Sequence, residues 1–299
     1  MSPARRRAAV AHDVQRKLKV SERRACRAIG QHRSTQRYMS HKAQRDRPLA
    51  QRMVALSQEN PRYGYRRVWA LLMRREGFEV NKKRVHKLWR EEGLKVPNKQ
   101  HKRRRLSGIG ENGSKRKQAE HRDHVRSYDF VIDRTEDGRR LKMMPIVDEY
   151  TRECLTIETE RSITAEDVVR TLAALFERRG EPSYIRSDNG PEFIAKALKR
   201  WLEVSGVGTL YIEPGSPWEN AYSETFISRF GDELLKREAF TNLLEAKVLV
   251  EGYRHHYNGE RPHSALGYRT PAEFVASCEP ASAEDEELMK ELESVTTLS

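Results

Sequence analysis

Three acidic residues stand where their side chains could do chemistry: Asp129, Asp188 and Glu224. Asp129 lies in the strand-like run SYDFVID. Asp188 follows the short apolar run Ser183-Tyr184-Ile185, inside IRSDNGPEF. Glu224 falls in a helical pattern that starts after Pro217, inside SPWENAYSETF. The last two are separated by 35 residues (224 − 188 − 1). A strand-end Asp and a helix-borne Glu can meet only if the chain between them folds back. That segment predicts a helix from about 192 to 204, a turn at Ser205-Gly206 and a strand over 208–213. Carboxylate oxygens are the donors that hard cations such as magnesium or manganese prefer. Two such ions, about 3.5–4 Å apart, serve the attacking and leaving oxygens of a phosphodiester in hydrolysis or transfer. The three acids are therefore the candidate catalytic and metal-binding residues, chosen from 44 acids by their placement. Other acids have structural readings. Asp133 shares the strand face of Asp129 by period two, Asp148 is placed to cap a turn, and Glu219 to cap a helix N-terminus. His255, His256 and His263 have the composition of a metal cluster, but their surroundings predict packing or phosphate contact.

The elements that must position these acids follow from the pattern beyond His121. SYDFVID, the turn Glu136-Asp137-Gly138 and LKMMPIVDEY (141–150) form a predicted hairpin, and ECLTIET (153–159) a third strand. A helix over 165–179 carries Val168, Val169, Leu172, Leu175 and Phe176 on one face. The strand 183–187 then delivers Asp188. Three antiparallel strands followed by alternating helices and strands predict an α/β fold, a mixed five-stranded sheet flanked by helices. A further amphipathic helix is predicted over 243–258.

The N-terminal part has a different character. Of the 299 residues, the first 120 hold 34 Lys and Arg against 10 Asp and Glu, a net of +24; the rest hold 23 against 34, a net of −11. A basic half joined to an acidic half suggests that one grips a polyanion and the other holds cations. Residues 1–46 read as a basic helical arm or small helix-turn-helix, with Ser21 and Ser34 as helix caps and Gly30 as a stop. Residues 47–97 read as a helix-turn-helix DNA-binding domain of three helices. The third is capped by Asn81, closed by Gly93, and carries Lys82, Lys83, Arg84 and Lys87 as candidate DNA contacts. Residues 98–120 read as a basic linker, 121–278 as the catalytic core with its C-terminal segment, and 279–299 as an acidic tail. No apolar run approaches the ~20 residues of a membrane span. No signal peptide is evident, and the three scattered cysteines form neither a zinc pattern nor a disulfide framework. A cytoplasmic protein is expected.

At the acidic residues the sequence resembles the DDE transposases of bacterial insertion sequences, of the second-frame (OrfB) type related to retroviral integrases. The matching pieces are SYDFVIDRT, VDEYTREC (147–154), IRSDNGPEF, SPWENAYSETF, HYNGERPHSALGYRTPAEF (256–274) and NPRYGYRRVWALL (60–72). The resemblance spans roughly 47–275. It implies an RNase H-like core, dependence on Mg2+ or Mn2+ with two ions, and cleavage and joining of element ends. Water attacks first, and the freed 3′ hydroxyl then attacks the target. It also implies a homo-oligomer on insertion-sequence ends and target DNA, and a partner encoded in the upstream frame (OrfA). Asn189 and Arg229 join the candidate DNA contacts. Two positions depart from the family: Arg126 stands where a Trp is usual, and Gly231 where a Lys or Arg is usual. These departures suggest the alternative of a catalytically weakened DNA-binding regulator.

Overall fold

The computed structural model describes residues 9–10, 19–37, 42–96, 117–187, 196–211 and 220–278. Residues 98–116 of the predicted linker, the predicted acidic tail, Asp188, Asn189 and Glu219 lie outside them. Near the N-terminus, helix α1 (Glu22–Ile29) starts at Ser21, whose hydroxyl accepts the Arg24 N–H, and stops at Gly30 in the left-handed conformation. Helix α2 (Arg33–Arg37) begins two residues earlier than expected, so Ser34 lies inside it rather than capping it. Its hydroxyl meets His32 Nδ1 at 2.6 Å instead.

Helices α3 (Lys42–Glu59), α4 (Tyr65–Arg74) and α5 (Lys82–Glu91) pack around Met53, Val68, Leu72 and Val85, all fully buried. Asn81 caps α5 by accepting the Lys83 N–H at 2.8 Å, and Gly93 closes it at φ 67°. Trp69 is half-buried, with its indole N–H donating to Val80 O at 2.8 Å.

The second layer is a mixed sheet: β1 (Val125–Tyr128), β2 (Val131–Arg134), β3 (Arg140–Asp148), β4 (Cys154–Glu160), β5 (Tyr184–Ser187) and β6 (Gly208–Tyr211). β1 and β2 both run antiparallel to β3 in one continuous register, Tyr128 opposite Ile146 and Val131 opposite Met143. They are two halves of one path, so the predicted five strands are present with the first one broken. That register sets Pro145 opposite the break. Proline has no N–H to give a ladder. On its other side β3 pairs with β4 through this level, Pro145 opposite Ile157. β1 then pairs in parallel with β5, and β5 in parallel with β6.

Helix α6 (Ala165–Arg179) covers one face, started by a reciprocal Thr164–Asp167 capping box. With α7 (Lys196–Val204) it encloses Tyr128, Met144, Leu172 and Ile185. The other face is covered by α8 (Ala221–Phe230), its π-helical continuation Gly231–Leu235, and α9 (Leu243–Gly259), around Leu141, Val147, Phe226 and Tyr257. A short 3-10 turn (Ser264–Leu266) and α10 (Pro271–Ala276) complete the described chain.

Arg126 is fully buried in β1 without loosening the sheet. Its Nε and Nη2 donate to Asp123 Oδ1 at 2.9 and 2.7 Å, and its guanidinium lies 5.8 Å from the Phe176 ring centre. A paired cation fills the place of the expected indole.

Candidate active site

The parallel pairing of β1 and β5 governs the geometry. Val125 is opposite Tyr184 and Ser127 opposite Arg186, so both strands end at the same level of the sheet, pointing the same way. Asp129 is the first residue beyond β1, at the Pro145 break. It is half-buried, and its Oδ1 accepts the Phe130 N–H at 2.7 Å, so that this N–H is bonded to the carboxylate. Ser187 ends β5, and the sequence continues with Asp188. Arg186 anchors this strand end: its Nε donates to Glu149 Oε1 at 2.9 Å, and its Nη2 to Lys117 O at 2.7 Å, with both side chains buried.

Helix α8 packs on β3 and β1. Ser223, Phe226 and Phe230 form its buried stripe, and Glu224 lies beside that stripe, exposed, in the first turn. The helix dipole favours an anion there. Glu224, Thr225, Ser228 and Arg229 line one shallow recess.

Asp148 is excluded as a ligand by its hydrogen bonds. Its Oδ1 accepts the Thr151 N–H and hydroxyl, both at 2.7 Å, and its Oδ2 accepts the Asp123 N–H at 2.9 Å. Burial raises its pKa against those bonds. It holds the turn after β3, as the sequence predicts. Asp133 lies on β2 beyond the break and accepts the Arg134 N–H at 2.8 Å. Among the described residues no three His, Cys, Asp or Glu side chains form a metal cluster. The three histidines have separate roles. His256 Nε2 meets the Tyr63 hydroxyl at 3.1 Å, His255 is exposed beside Glu251, and His263 is buried against Tyr257.

The candidate DNA contacts divide into two groups. Lys83 and Lys87 share an open face of α5 with His86 and Arg90. Lys82 turns inward, 4.7 Å from the Trp69 ring centre and 5.3 Å from that of Tyr268. Arg84 Nε donates to Asp46 Oδ1 on α3 at 2.9 Å. Arg229 lies on α8, five residues after Glu224. Sequence reasoning missed His86 and Arg90, which one-in-four spacing from Lys82 and Lys83 onward would have found. It also missed Arg67, Arg152 and Arg261, which meet near Arg229 only through tertiary packing.

Comparison with known proteins is consistent along the chain. Residues 43–104 match an HTH-like domain, 119–217 an integrase core domain, and 205–271 a second integrase core domain family. The IS407 insertion element 31.7 kDa protein of Burkholderia multivorans is 39% identical over 88% of this chain and 93% of its own length. The chain belongs to the insertion-element transposase family. An IS476 protein of Xanthomonas euvesicatoria is 38% identical over 93% of this transposase-family chain and 78% of its own. The InsD transposase of element IS2 from Escherichia coli is 29% identical over 73% and 74%. Among solved structures, the HTLV-2 integrase catalytic core domain in complex with magnesium (trimeric form) gives a TM-score of 0.40 at 15% identity, over 52% of this chain and 98% of that one. The family is that of the DDE polynucleotidyl transferases, and no helix among the described residues is long and apolar enough to cross a membrane.

Proposed function

We propose that this protein cleaves the ends of its insertion sequence and joins them to target DNA, with Asp129, Asp188 and Glu224 as the catalytic acids. One observation carries the reading: β1 and β5 run parallel and end at a common level of the sheet, at which Asp129 follows one strand and Asp188 is next in sequence after the other. Helix α8, lying across β1 and β3, carries Glu224. The donor set is all carboxylate and free of sulfur and imidazole, which fits magnesium or manganese. Bound there, one or two such ions would activate the attacking oxygen and offset charge on the leaving oxygen. The protein's own contribution is positioning. The Phe130 N–H holds one carboxylate, the Arg186–Glu149 pair steadies the strand before the second, and the buried stripe of α8 orients the third.

Lys83 and Lys87, with His86 and Arg90, supply a basic helical face for duplex DNA. Asn189 and Arg229 would contact the strand near the acids, and Lys82 and Arg84 would act by holding α5 in place. A homo-oligomer assembled on DNA, an upstream-frame partner and a cytoplasmic setting belong to the same reading. The weakened-regulator alternative loses support, because Arg126 is accommodated by Asp123, and Gly231 removes none of the three acids from the sequence.

The test is incubation of the full chain with duplexes carrying candidate terminal repeats and Mg2+, scoring nicked and joined strands. Asp188→Asn should lower both products by about three orders of magnitude or more, the loss that several kcal/mol of transition-state stabilisation implies, while DNA binding persists. Undiminished joining by that variant would refute the assignment.

A further inference from the structure

A cavity of about 250 Å³ lies along the flank of α8, walled by Arg67, Arg152, Arg229 and Arg261. The four guanidiniums come from four separate places: α4, the turn before β4, α8 and the segment after α9. Tyr222 and the exposed Ser264 contribute hydroxyls to the wall, and among the described residues no carboxylate lines it. Arg261 is almost fully buried and donates Nε and Nη2 to Glu233 at 2.7 and 2.8 Å; Arg67 reaches the same carboxylate at 3.4 Å. Arg152 stacks 3.7 Å from the Tyr222 ring centre. Among the described residues Arg229 has no ion pair. Glu233 thus pairs with two of the four cations.

The field in the cavity is strongly positive. Burial, then the charge of Arg261, pushes the Arg67 guanidinium down to about 10. Burial, then the charges of Arg261, Arg67, Arg152 and Arg229, pushes the His263 imidazole down to about 2. An anion entering here would meet desolvated forks of the kind that bind phosphate in pairs. Thr225 and Arg229 line both this cavity and the recess that holds Glu224. Five helical residues span about 7.5 Å along an axis, close to two steps of a DNA strand at ~3.4 Å each.

We propose that this cavity is a phosphate site for one nucleotide of a DNA strand, adjoining the position that Glu224 serves and completed by Arg67 from the HTH-like domain. The proposal rests on the functional reading above. Its volume suits a single phosphate and sugar rather than a duplex. Because one wall belongs to α4, the site is whole only when the N-terminal domain is docked, which links end recognition to the catalytic helix.

The test measures binding of the full chain to a fluorescent oligo(dT) 12-mer, without metal, from 50 to 300 mM salt. Arg152→Gln and Arg229→Gln should each weaken binding severalfold and reduce the slope of log K against log salt by ~0.7 per lost single-strand contact. Arg178→Gln, on the exposed face of α6, should change neither. Should either glutamine variant fold poorly, Ser264→Asp keeps the test alive: it sets a carboxylate at the exposed rim and should weaken binding, whereas Ser264→Asn should not. Unchanged slopes in folded variants, or equal binding by the aspartate and asparagine variants, would overturn the proposal. Mg2+-dependent nicking by wild type with unchanged slopes would sink the phosphate site alone. Reduced slopes with no nicking of any duplex would sink the catalytic reading and leave the site standing.

Discussion

His263 shows how one side chain reports its surroundings. It is 9% exposed, packed edge-on to Tyr257, and faced by Arg261, Arg67, Arg152 and Arg229. The imidazole is neutral in the folded protein and pushed down to about 2, against an ordinary value near 6.5. Below pH 6.5 the unfolded chain takes up a proton that the folded chain refuses. Stability therefore falls as pH falls through that window, by about 1.4 kcal/mol per unit at most. Between pH 6.5 and 5 the loss from this residue should approach ~2 kcal/mol. Chemical denaturation of wild type and His263→Asn at both pH values would measure it, since the difference between the proteins isolates the imidazole. Equal pH dependence in the two would show that the ring is protonated in the fold.

At the scale of elements, the break between β1 and β2 is the feature that matters, and its cause is Pro145 on the opposite strand. Pro145→Ala returns an N–H to β3 at the level of Asp129. The ladder should then close through residues 129–130, adding about 1 kcal/mol for a backbone hydrogen bond while drawing Asp129 into the strand. Melting temperature should rise slightly as the strand-joining rate falls at least tenfold. A rate equal to wild type would mean that the break at Asp129–Phe130 is held by something other than the missing donor. The elements themselves were legible: period-two alternation, the Glu136-Asp137-Gly138 turn, the apolar face of 165–179, and Gly206 all mark elements that the structure keeps. The broken strand was not, because SYDFVID carries an unbroken strand pattern and the interruption comes from a proline in its neighbour. The same limit explains Lys82 and Arg84. Charge on a helix is visible in sequence, but which side of α5 faces Tyr268 or Asp46 is decided by packing. The replacement at Arg126 was visible as a departure, yet its partner Asp123 sits three residues away in a left-handed turn that no periodicity signals.

For the whole molecule, the question is what holds the HTH-like domain to the integrase core. Arg74 with Glu273, at 3.0 Å, and Arg75 with Glu260, at 3.1 Å, are exposed at the seam. Pairs of that kind contribute ~0–1 kcal/mol. Glu233 is different: its side chain is 8% exposed and it accepts from Arg261 of the core and Arg67 of the domain. Taking away its charge leaves the buried Arg261 and the half-buried Arg67 facing each other, and losing one partner of a buried pair destabilises by about 3–5 kcal/mol. Glu233→Gln should therefore do more than lower stability. It should uncouple the two halves, so that calorimetric melting shows the N-terminal domain unfolding ahead of the core. Glu273→Gln, at an exposed pair, should leave the profile of wild type. Because the change at Glu233 removes no residue from the acidic site, metal-dependent nicking of short duplexes should fall less than joining, which requires the end held by α5 and the acids to stay in register. A single undivided transition in Glu233→Gln, with joining intact, would place the docking energy in the aromatic contact between Trp69 and Tyr268, 5.7 Å apart, rather than in the buried carboxylate.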